Sequence, residues 1–566
     1  MTVDEDVHAG RYRTHEVTNQ PPERVGVNEY LDFPVLRDAV HAFGGGWGEE
    51  RLVEAGAHVG SAAFQRAAEL ANTHEPVLHT HDRRGRRIDE VEYHPAYHEV
   101  ISAAVARGAH TSAWADPRPG ANVVRGALFS LFGQIEPGHA CPVSMTHAAV
   151  PSLRHAPDLA ALWEPRLLST GYDGALAAPA TKPGALVGMA MTEKQGGSDV
   201  RANTTRAVPA GDGTYALTGH KWFCSAPMSD AFLVLAQAGP DGTTGPSCFL
   251  VPRVLEDGTR NTFRIQRLKD KLGNRSNASS EIELDGTVGH LVGETGRGVR
   301  TIIEMVQRTR LDCVHGSAAG MRQGVAEALW HARHRTAFGA ALVDQPAMTA
   351  VLADLALESE AATLTSMRLA AAYDSDCGTD GGADGGERAF RRLATAVAKY
   401  WVCKRGPHHA YEAMECLGGN GYTEAFPLAR RYREQPVMAI WEGSGNVIAL
   451  DVLRALTREP ESLAAVDAEL ALVAGAHRDL DAHLAATRAL LAGLAGADPA
   501  EQQASARRVV EALAVGLQAS LMVRYAPTAS ADAFVAARLG AGRGHGYGVL
   551  PRGTDAAAIL RRHAGS

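Results

Sequence analysis

The chain has 566 residues, a formal net charge of −8, 45% hydrophobic residues and 21% charged residues. At about 100–200 residues per domain this is enough chain for several domains, and the composition is that of a globular enzyme. The acidic balance excludes a surface that grips nucleic acid everywhere, while leaving room for a local basic patch; no run reaches the roughly eighteen consecutive apolar residues of a membrane helix.

In chain order, the opening MTVDEDVHAG is acidic and carries no basic or apolar leader segment, so the expected location is cytoplasmic. Residues 1–180 read as an α-helical domain; ALWEPRLLSTG, for example, has the pattern of an amphipathic helix ending at Gly171. From 181 to 296 the period changes. AFLVLAQ, SCFLVP, TFRIQRL and SSEIELDG are short β-branched or aromatic runs separated by turn pairs such as DG and GP, which predicts an antiparallel β domain and not βαβ units. Helices return over 297–457; Met321, Val325 and Leu329 recur at i, i+4 and i+8. The Gly/Asp-rich DSDCGTDGGADGGE (374–387) superficially matches a calcium loop, but Gly378 stands where an oxygen ligand belongs and Thr379 where the turn glycine belongs, so it reads as an interhelix loop. Residues 458–566 form an Ala/Leu-rich helical extension. Its Gly-alternating RLGAGRGHGYGVLPRG follows no clear strand and reads as a loop rather than a dinucleotide fingerprint.

Seven scattered cysteines with no C-x-x-C argue against a zinc site or a disulfide framework. The pairs at His408-His409 and His331–His334 lack a carboxylate at ligand spacing, so no metal is expected.

Five segments could carry chemistry. MTEKQGGSDVRANTT (191–205) offers the hydroxyls of Thr192 and Ser198 and a Gly196-Gly197 turn, either a phosphate cradle or an ordinary turn. KWFCSAP (221–227) groups Trp222, Phe223 and Ser225, suited to a flat aromatic ligand or to core packing. RTAFG (335–339) could meet a pyrophosphate or simply cap a helix. ECLGGNGY (415–422) supplies a second Gly-Gly. In AIWEGSGNV (439–447) one carboxylate, Glu442, stands between an indole and a Gly-Ser-Gly turn. It is either a reactive acid or a structural one paired with Arg310 or Arg454.

Taken in order and at this spacing, these segments resemble the signature of the acyl-CoA dehydrogenase family over roughly residues 120–455. MTEKQGGSDVRANTTRA, RLKDKLGNRSNASSEIE, CKRG, IWEGSGNVIALDVLRAL and the early THEVTNQPP are similar to its AidB-like branch, flavoproteins of the adaptive response to alkylation. The resemblance implies an α-helical domain, a β-barrel domain and a four-helix bundle with an extra C-terminal helical region, assembled as a homotetramer (a dimer of dimers) that binds FAD.

By motif match, Met191 and Thr192 would contact the isoalloxazine ring, Gly197 and Ser198 would face the pyrophosphate, and Phe223 and Ser225 would lie against the flavin, Ser225 near N5. Arg335, Phe338, Gln345, Glu415, Gly418 and Gly419 would serve the adenosine and phosphate end across a dimer, with Ser444 and Asn446 also on FAD. Glu442 would be the catalytic base, because the position at which some members keep theirs is Thr309 here. Trp441, Arg310 and Arg454 would border the substrate cavity. Some positions depart from the common pattern: Gln345 comes one residue early after the Phe-Gly pair, and Ala337 replaces a hydroxyl. Trp441 replaces a tyrosine, and Pro227-Met228 replaces a glycine pair.

Three functions stay open at this point. One is dehydrogenation of a short or branched acyl-CoA or another small acyl thioester. The second is a flavoprotein that binds double-stranded DNA through a basic C-terminal surface including Arg561 and Arg562. The third is a tailoring enzyme of a dedicated pathway.

Overall fold

The structure, a computed structural model, describes residues 14–238, 245–376 and 385–563. The 377–384 part of the Gly/Asp-rich loop lies outside the described residues.

The N-terminal part is helical, with several helices opened by proline at the first position, as at Pro34–Ala42, Pro95–Ala106 and Pro157–Leu167; the missing proline N–H costs nothing there. Every residue of the helix Ala121–Gly133 is buried. The sequence reading missed one feature, a hairpin of β1 (Val77–His81) and β2 (Arg87–Glu92). Met228 explains how it docks: the Val91 N–H donates to its Sδ at 3.3 Å.

The middle segment forms β3 (Val187–Ala190), β4 (Arg206–Pro209), β5 (Tyr215–Ser225), β6 (Ala231–Ala238), β7 (Pro246–Pro252), β8 (Arg264–Leu268) and β9 (Ser279–Val292). Strands β6, β4, β5, β9 and β7 pair in succession, and β7 pairs back onto β6, which closes a barrel. The purely antiparallel expectation needs correction, because β6 runs parallel to both β3 and β4. Strand β6 is buried on both faces for a reason its sequence shows. Phe232, Val234 and Ala236 join one apolar core with Phe249 and Val251. Leu233 and Leu235 join another with Met145, Ala149 and Met305 of two helices. The period of two thus faces one set to the barrel interior and the other to the helical shell.

The long helices Gly298–His334, Pro346–Ala372 and Gly385–Glu415 form the bundle, with Pro427–Met438 and Gly445–Arg458 packed on them. The extension begins at Pro460–Ala471 and is fastened to this bundle. Trp401 Nε1 donates to Gln518 Oε1 at 2.9 Å, and Arg368 pairs with Glu469 at 2.9 Å. No helix among the described residues is long and apolar enough to cross a membrane.

Candidate active site

The turn at 441–444 joins the helix Pro427–Met438 to Gly445–Arg458. Glu442 sits in it at φ 58°, the left-handed region that costs a non-glycine residue on the order of 1–2 kcal/mol. Two cations hold that backbone. Arg310 Nε donates to the Glu442 carbonyl at 3.0 Å, and Lys399 Nζ donates to the Gly443 carbonyl at 2.5 Å. Gly443 is required by its φ of 113° and by Ile448, whose Cδ1 would lie 2.9 Å from an added Cβ.

The Glu442 side chain makes no ion pair among the described residues. Its Oε2 is buried with no hydrogen-bond partner. The structural-acid alternative required Arg310 or Arg454 to pair with this carboxylate, and both turn to Asp451 instead, at 2.7 and 3.5 Å. Burial raises the Glu442 pKa above the ordinary carboxylate range. The Thr309 hydroxyl and then the charges of Arg310 and Lys399 oppose the shift, and burial wins. Trp441 packs between two apolar clusters, one with Met191 and Cys141 and one with Cys313, Cys403 and Met438. Its Nε1 is buried and unpartnered.

The motif MTEKQGGSDV is built around Glu193, whose side chain is fully buried. Oε1 accepts from Thr205 N–H at 3.1 Å, the Thr205 hydroxyl at 2.6 Å and Lys221 Nζ at 2.8 Å. Oε2 accepts from Thr204 N–H and Gln195 Nε2, each at 2.7 Å. The loop therefore has a fixed shape, with Gly197 pressed so closely on Thr192 that a Cβ would meet Oγ1 at 2.6 Å. Met191 and Thr192 are half-buried, and Gly197 and Ser198 are exposed with N–H groups that have no partner among the described residues. Phe223, on the rim of the barrel, is 48% exposed, a large apolar ring left uncovered. Trp222 beside it lies 3.2 Å below Lys269 Nζ.

The buried thiol of Cys141 links the barrel to the base. Burial pushes it up to about 12; the side chains of Asn277 and Ser225 pull it down, and the charge of Glu442 pushes it up further. Ser225 and Glu442 thus both lie close enough to Cys141 to act on its thiol.

Backbone N–H groups from Glu442 to Val447 likewise have no acceptor among the described residues. They form a donor run at the start of the helix Gly445–Arg458, where negative charge is favoured. Ser444 and Asn446 are exposed there, with Asn446 Oδ1 accepting from Arg507 of the extension at 2.8 Å. An unpaired indole N–H, an uncovered aromatic ring and two sets of free amide donors fit a ligand that combines a flat heteroaromatic ring with a pyrophosphate.

Other sequence-derived candidates are not bonded to these residues. Arg335 Nη1 donates to the Asn19 carbonyl at 2.6 Å, and Gln345 Nε2 to the Ala337 carbonyl at 2.8 Å. Phe338 is 100% exposed at the tip of the hairpin β10 (Thr336–Ala337) and β11 (Ala340–Ala341). Glu415, Gly418 and Gly419 are exposed as well. None of these has a hydrogen bond or ion pair to Met191, Ser225 or Glu442 among the described residues. Arg310 is buried and braces the Glu442 backbone, and Arg454 has a largely exposed side chain.

At the C-terminus, Arg561 is exposed, but Arg562 is engaged with Glu360 at 2.6 Å and Asp38 at 2.8 Å. Arg538 is similarly held by Asp354 and Glu358. Two of the arginines that make this segment look basic are thus consumed internally. Arg562→Ala leaves the buried Glu360 short of a counter-charge and is expected to cost about 3 kcal/mol, whereas Arg561→Ala leaves thermal unfolding unchanged; differential scanning calorimetry separates the two.

Lys399, Cys141 and Asn277 were missed in the sequence. Only Lys399 gave a signal, as a lone lysine in the apolar run of ATAVAKYWV.

Among the described residues no cluster of histidine, cysteine or carboxylate side chains could hold a metal ion. Comparison with known proteins gives three matching family models. They are the adaptive response protein AidB N-terminal domain over residues 19–174, the acyl-CoA dehydrogenase middle domain over 188–287 and the acyl-CoA dehydrogenase C-terminal domain over 296–457. The chain is 47% identical over 450 residues to AidB of Escherichia coli (strain K12), covering 79% of this chain and 81% of that one. The crystal structure of Caenorhabditis elegans ACDH-11 in complex with C11-CoA superposes with a TM-score of 0.82 at 26% identity, covering 98% and 94% of the two chains. An acyl-CoA dehydrogenase from Bacillus anthracis complexed with FAD shares the fold at a TM-score of 0.63 and 18% identity, covering 78% and 79%. The chain therefore belongs to the acyl-CoA dehydrogenase family of oxidoreductases, whose cofactor is FAD, and carries the AidB-type N-terminal domain.

Proposed function

We propose that the protein is an FAD-dependent dehydrogenase acting on the Cα–Cβ bond of a short or branched acyl-CoA, or a related small acyl thioester, with Glu442 as its base. The observation that carries this reading is the Glu442 carboxylate: free of any ion pair among the described residues, with Oε2 buried and without a hydrogen-bond partner, raised in pKa, and fixed by a braced backbone. The C11-CoA bound by ACDH-11 supports an acyl thioester as the substrate class.

Met191, Thr192, Phe223 and Ser225 would hold the ring of FAD, Gly197 and Ser198 its pyrophosphate, and Ser444 and Asn446 would add contacts from the bundle. When bound, FAD supplies the acceptor for the hydride equivalent lost from Cβ. The chain's own residues do the rest. Glu442 takes the Cα proton. Its free N–H is suited to receive the thioester carbonyl oxygen, on which negative charge develops as that proton leaves. Trp441 and the apolar side chains of Cys141 and Met191 exclude water, which keeps the carboxylate poorly solvated and basic.

The adenosine end would be completed by Arg335, Phe338, Gln345, Glu415, Gly418 and Gly419 of a neighbouring subunit in a homotetramer. Fully exposed Phe338 is the strongest support for this. Phe338→Ser is expected to leave the fold intact, lower the tetramer fraction in light scattering and lower the flavin-to-protein absorbance ratio. The DNA-binding reading draws less support, since Arg538 and Arg562 are already paired.

The direct test is an anaerobic titration of the yellow protein with isovaleryl-CoA and a panel of other acyl-CoAs. Bleaching of the flavin band supports the reading; a flavin that stays oxidised across the panel overturns it.

A further inference from the structure

Ser225 ends β5 and Ser279 begins β9, and the two are cross-strand partners. Their Oγ atoms are 3.2 Å apart, and either could donate. A third group biases the direction. Lys271, in the loop between β8 and β9, donates to Ser279 Oγ at 3.2 Å and to the Asn277 carbonyl.

The loop is not free to swing. Glu434 Oε2 accepts the Asn274 N–H at 2.8 Å, and Glu136 Oε1 accepts the Ser276 hydroxyl at 2.6 Å. Gly273 lies so close to the Arg433 carbonyl that a Cβ would meet it at 2.2 Å.

An ammonium has donors only. Once it donates to Ser279 Oγ, it polarises the Ser279 O–H and repels that proton toward Ser225. Ser225 Oγ then accepts, and its own proton must go elsewhere. The neighbouring Cys141 thiol is at best a weak acceptor. Ser225 is only half-buried, and the remaining direction is its open face.

We propose that Lys271, acting through Ser279, is a positioning residue that turns the Ser225 hydroxyl into a directed donor toward that open face, matched to an acceptor atom of the bound ligand. The inference rests on the flavin reading for the identity of that acceptor, a ring nitrogen or carbonyl. It also carries a pH dependence. Burial lowers the Lys271 pKa to about 8, against Cys141, Glu434 and Glu75, which raise it, and together with Arg275, which lowers it. Those groups lie on the helix Ala140–Leu153, the helix Pro427–Met438, the segment after Ala62–Thr73 and the loop itself. Above that pH the amine can accept a proton from Ser279, and the direction of the chain is no longer imposed.

The test is FAD titration of the apoprotein, followed by fluorescence at pH 7 and pH 9.5, for the wild type, Lys271→Met, Lys271→Arg, Ser279→Ala and the double Lys271→Met/Ser279→Ala variant. At pH 7, Lys271→Met and Ser279→Ala are each expected to bind FAD about tenfold more weakly, and the double variant no more weakly than either. The wild type is expected to lose the same factor between the two pH values, while Lys271→Met does not change and Lys271→Arg binds tightly at both. Ser279→Ala retains the ammonium, so wild-type affinity in that variant would overturn the relay, as would additive losses in the double variant. A wild type that takes up no FAD overturns the flavin reading and this inference with it. A wild type that binds FAD as tightly as Lys271→Met and Ser279→Ala overturns this inference alone.

Discussion

Replacing Glu442 by glutamine is expected to lower the single-turnover rate of flavin reduction by an acyl-CoA substrate about 10³-fold or more, while FAD uptake and fold are retained. The amide preserves the shape and cannot take a proton. The Glu442 carbonyl and the Gly443 carbonyl stay on Arg310 and Lys399, so the turn survives. Stability should move in the opposite direction to activity. The folded-state pKa of Glu442 is raised, so over the window above its ordinary value of 4.5 the native state binds more protons than the unfolded chain. Stability then falls as pH rises through that window and stays lower above the folded pKa. Glutamine removes this loss, and at pH 8 the variant is expected to unfold at the wild-type temperature or higher. The same raised pKa places the acid limb of the wild-type pH–rate profile above the ordinary carboxylate range. Thr309→Val removes a hydroxyl that holds the pKa down and should move that limb higher still. Full activity in Glu442→Gln removes the base assignment.

Much of the architecture was visible in one dimension because period survives without tertiary context. The short apolar run AFLVLAQ and the 3.6-residue stripe at Met321, Val325 and Leu329 each identify an element type. Pairing direction does not leave such a trace, so the parallel contacts of β6 could not be read. The Asp285-Gly286 pair closing the run SSEIELDG has the composition of a turn. It is instead an irregularity inside β9, where Gly286 takes φ 67° and the register with β5 shifts between Leu217 and Thr218. A bulge and a turn call for the same residues. The hairpin β1–β2 was hidden because VLHTH and RIDEVE are largely polar, with only Asp89 and Val91 buried and no continuous apolar face to mark them.

The candidate site divides the same way. Glu442, Ser225 and the Gly-Gly loop lie in contiguous signatures and could be named in advance. Lys399 and Cys141 come from helices more than 250 residues apart in sequence and meet the site only through packing. Arginines proved hardest to place. Arg310, Arg454, Arg538 and Arg562 look alike in sequence, and which of them is buried depends on where Asp451, Glu358 and Glu360 fall in the folded chain.

The largest structural effect is expected at Glu193. Glu193→Ala should lower stability by about 3–5 kcal/mol in urea denaturation and abolish retention of FAD, although the residue is not assigned a contact with it. Lys221, whose side chain is fully buried, loses its carboxylate. The N–H groups of Thr204 and Thr205 and the amide of Gln195 lose their acceptors together. The Gly196-Gly197 turn then keeps only the backbone pair between residues 193 and 196 to hold its shape. Glu193→Gln preserves volume and some of the hydrogen bonds, so it should be milder and should differ from wild type chiefly in its response to acid. Burial alone would raise the Glu193 pKa, but Lys221 and the hydrogen bonds to Thr205 and Thr204 outweigh it and bring it down to about 2. A depressed folded-state pKa means that the stabilisation is complete above the ordinary value of 4.5 and is lost as pH falls toward 2. The wild type should weaken across that interval relative to Glu193→Gln, and the two stability curves should converge at its lower end. Parallel curves between pH 5 and pH 2 would show that the charge on Glu193 does not brace the loop, leaving the Gly-Gly turn to be held by its backbone contacts alone.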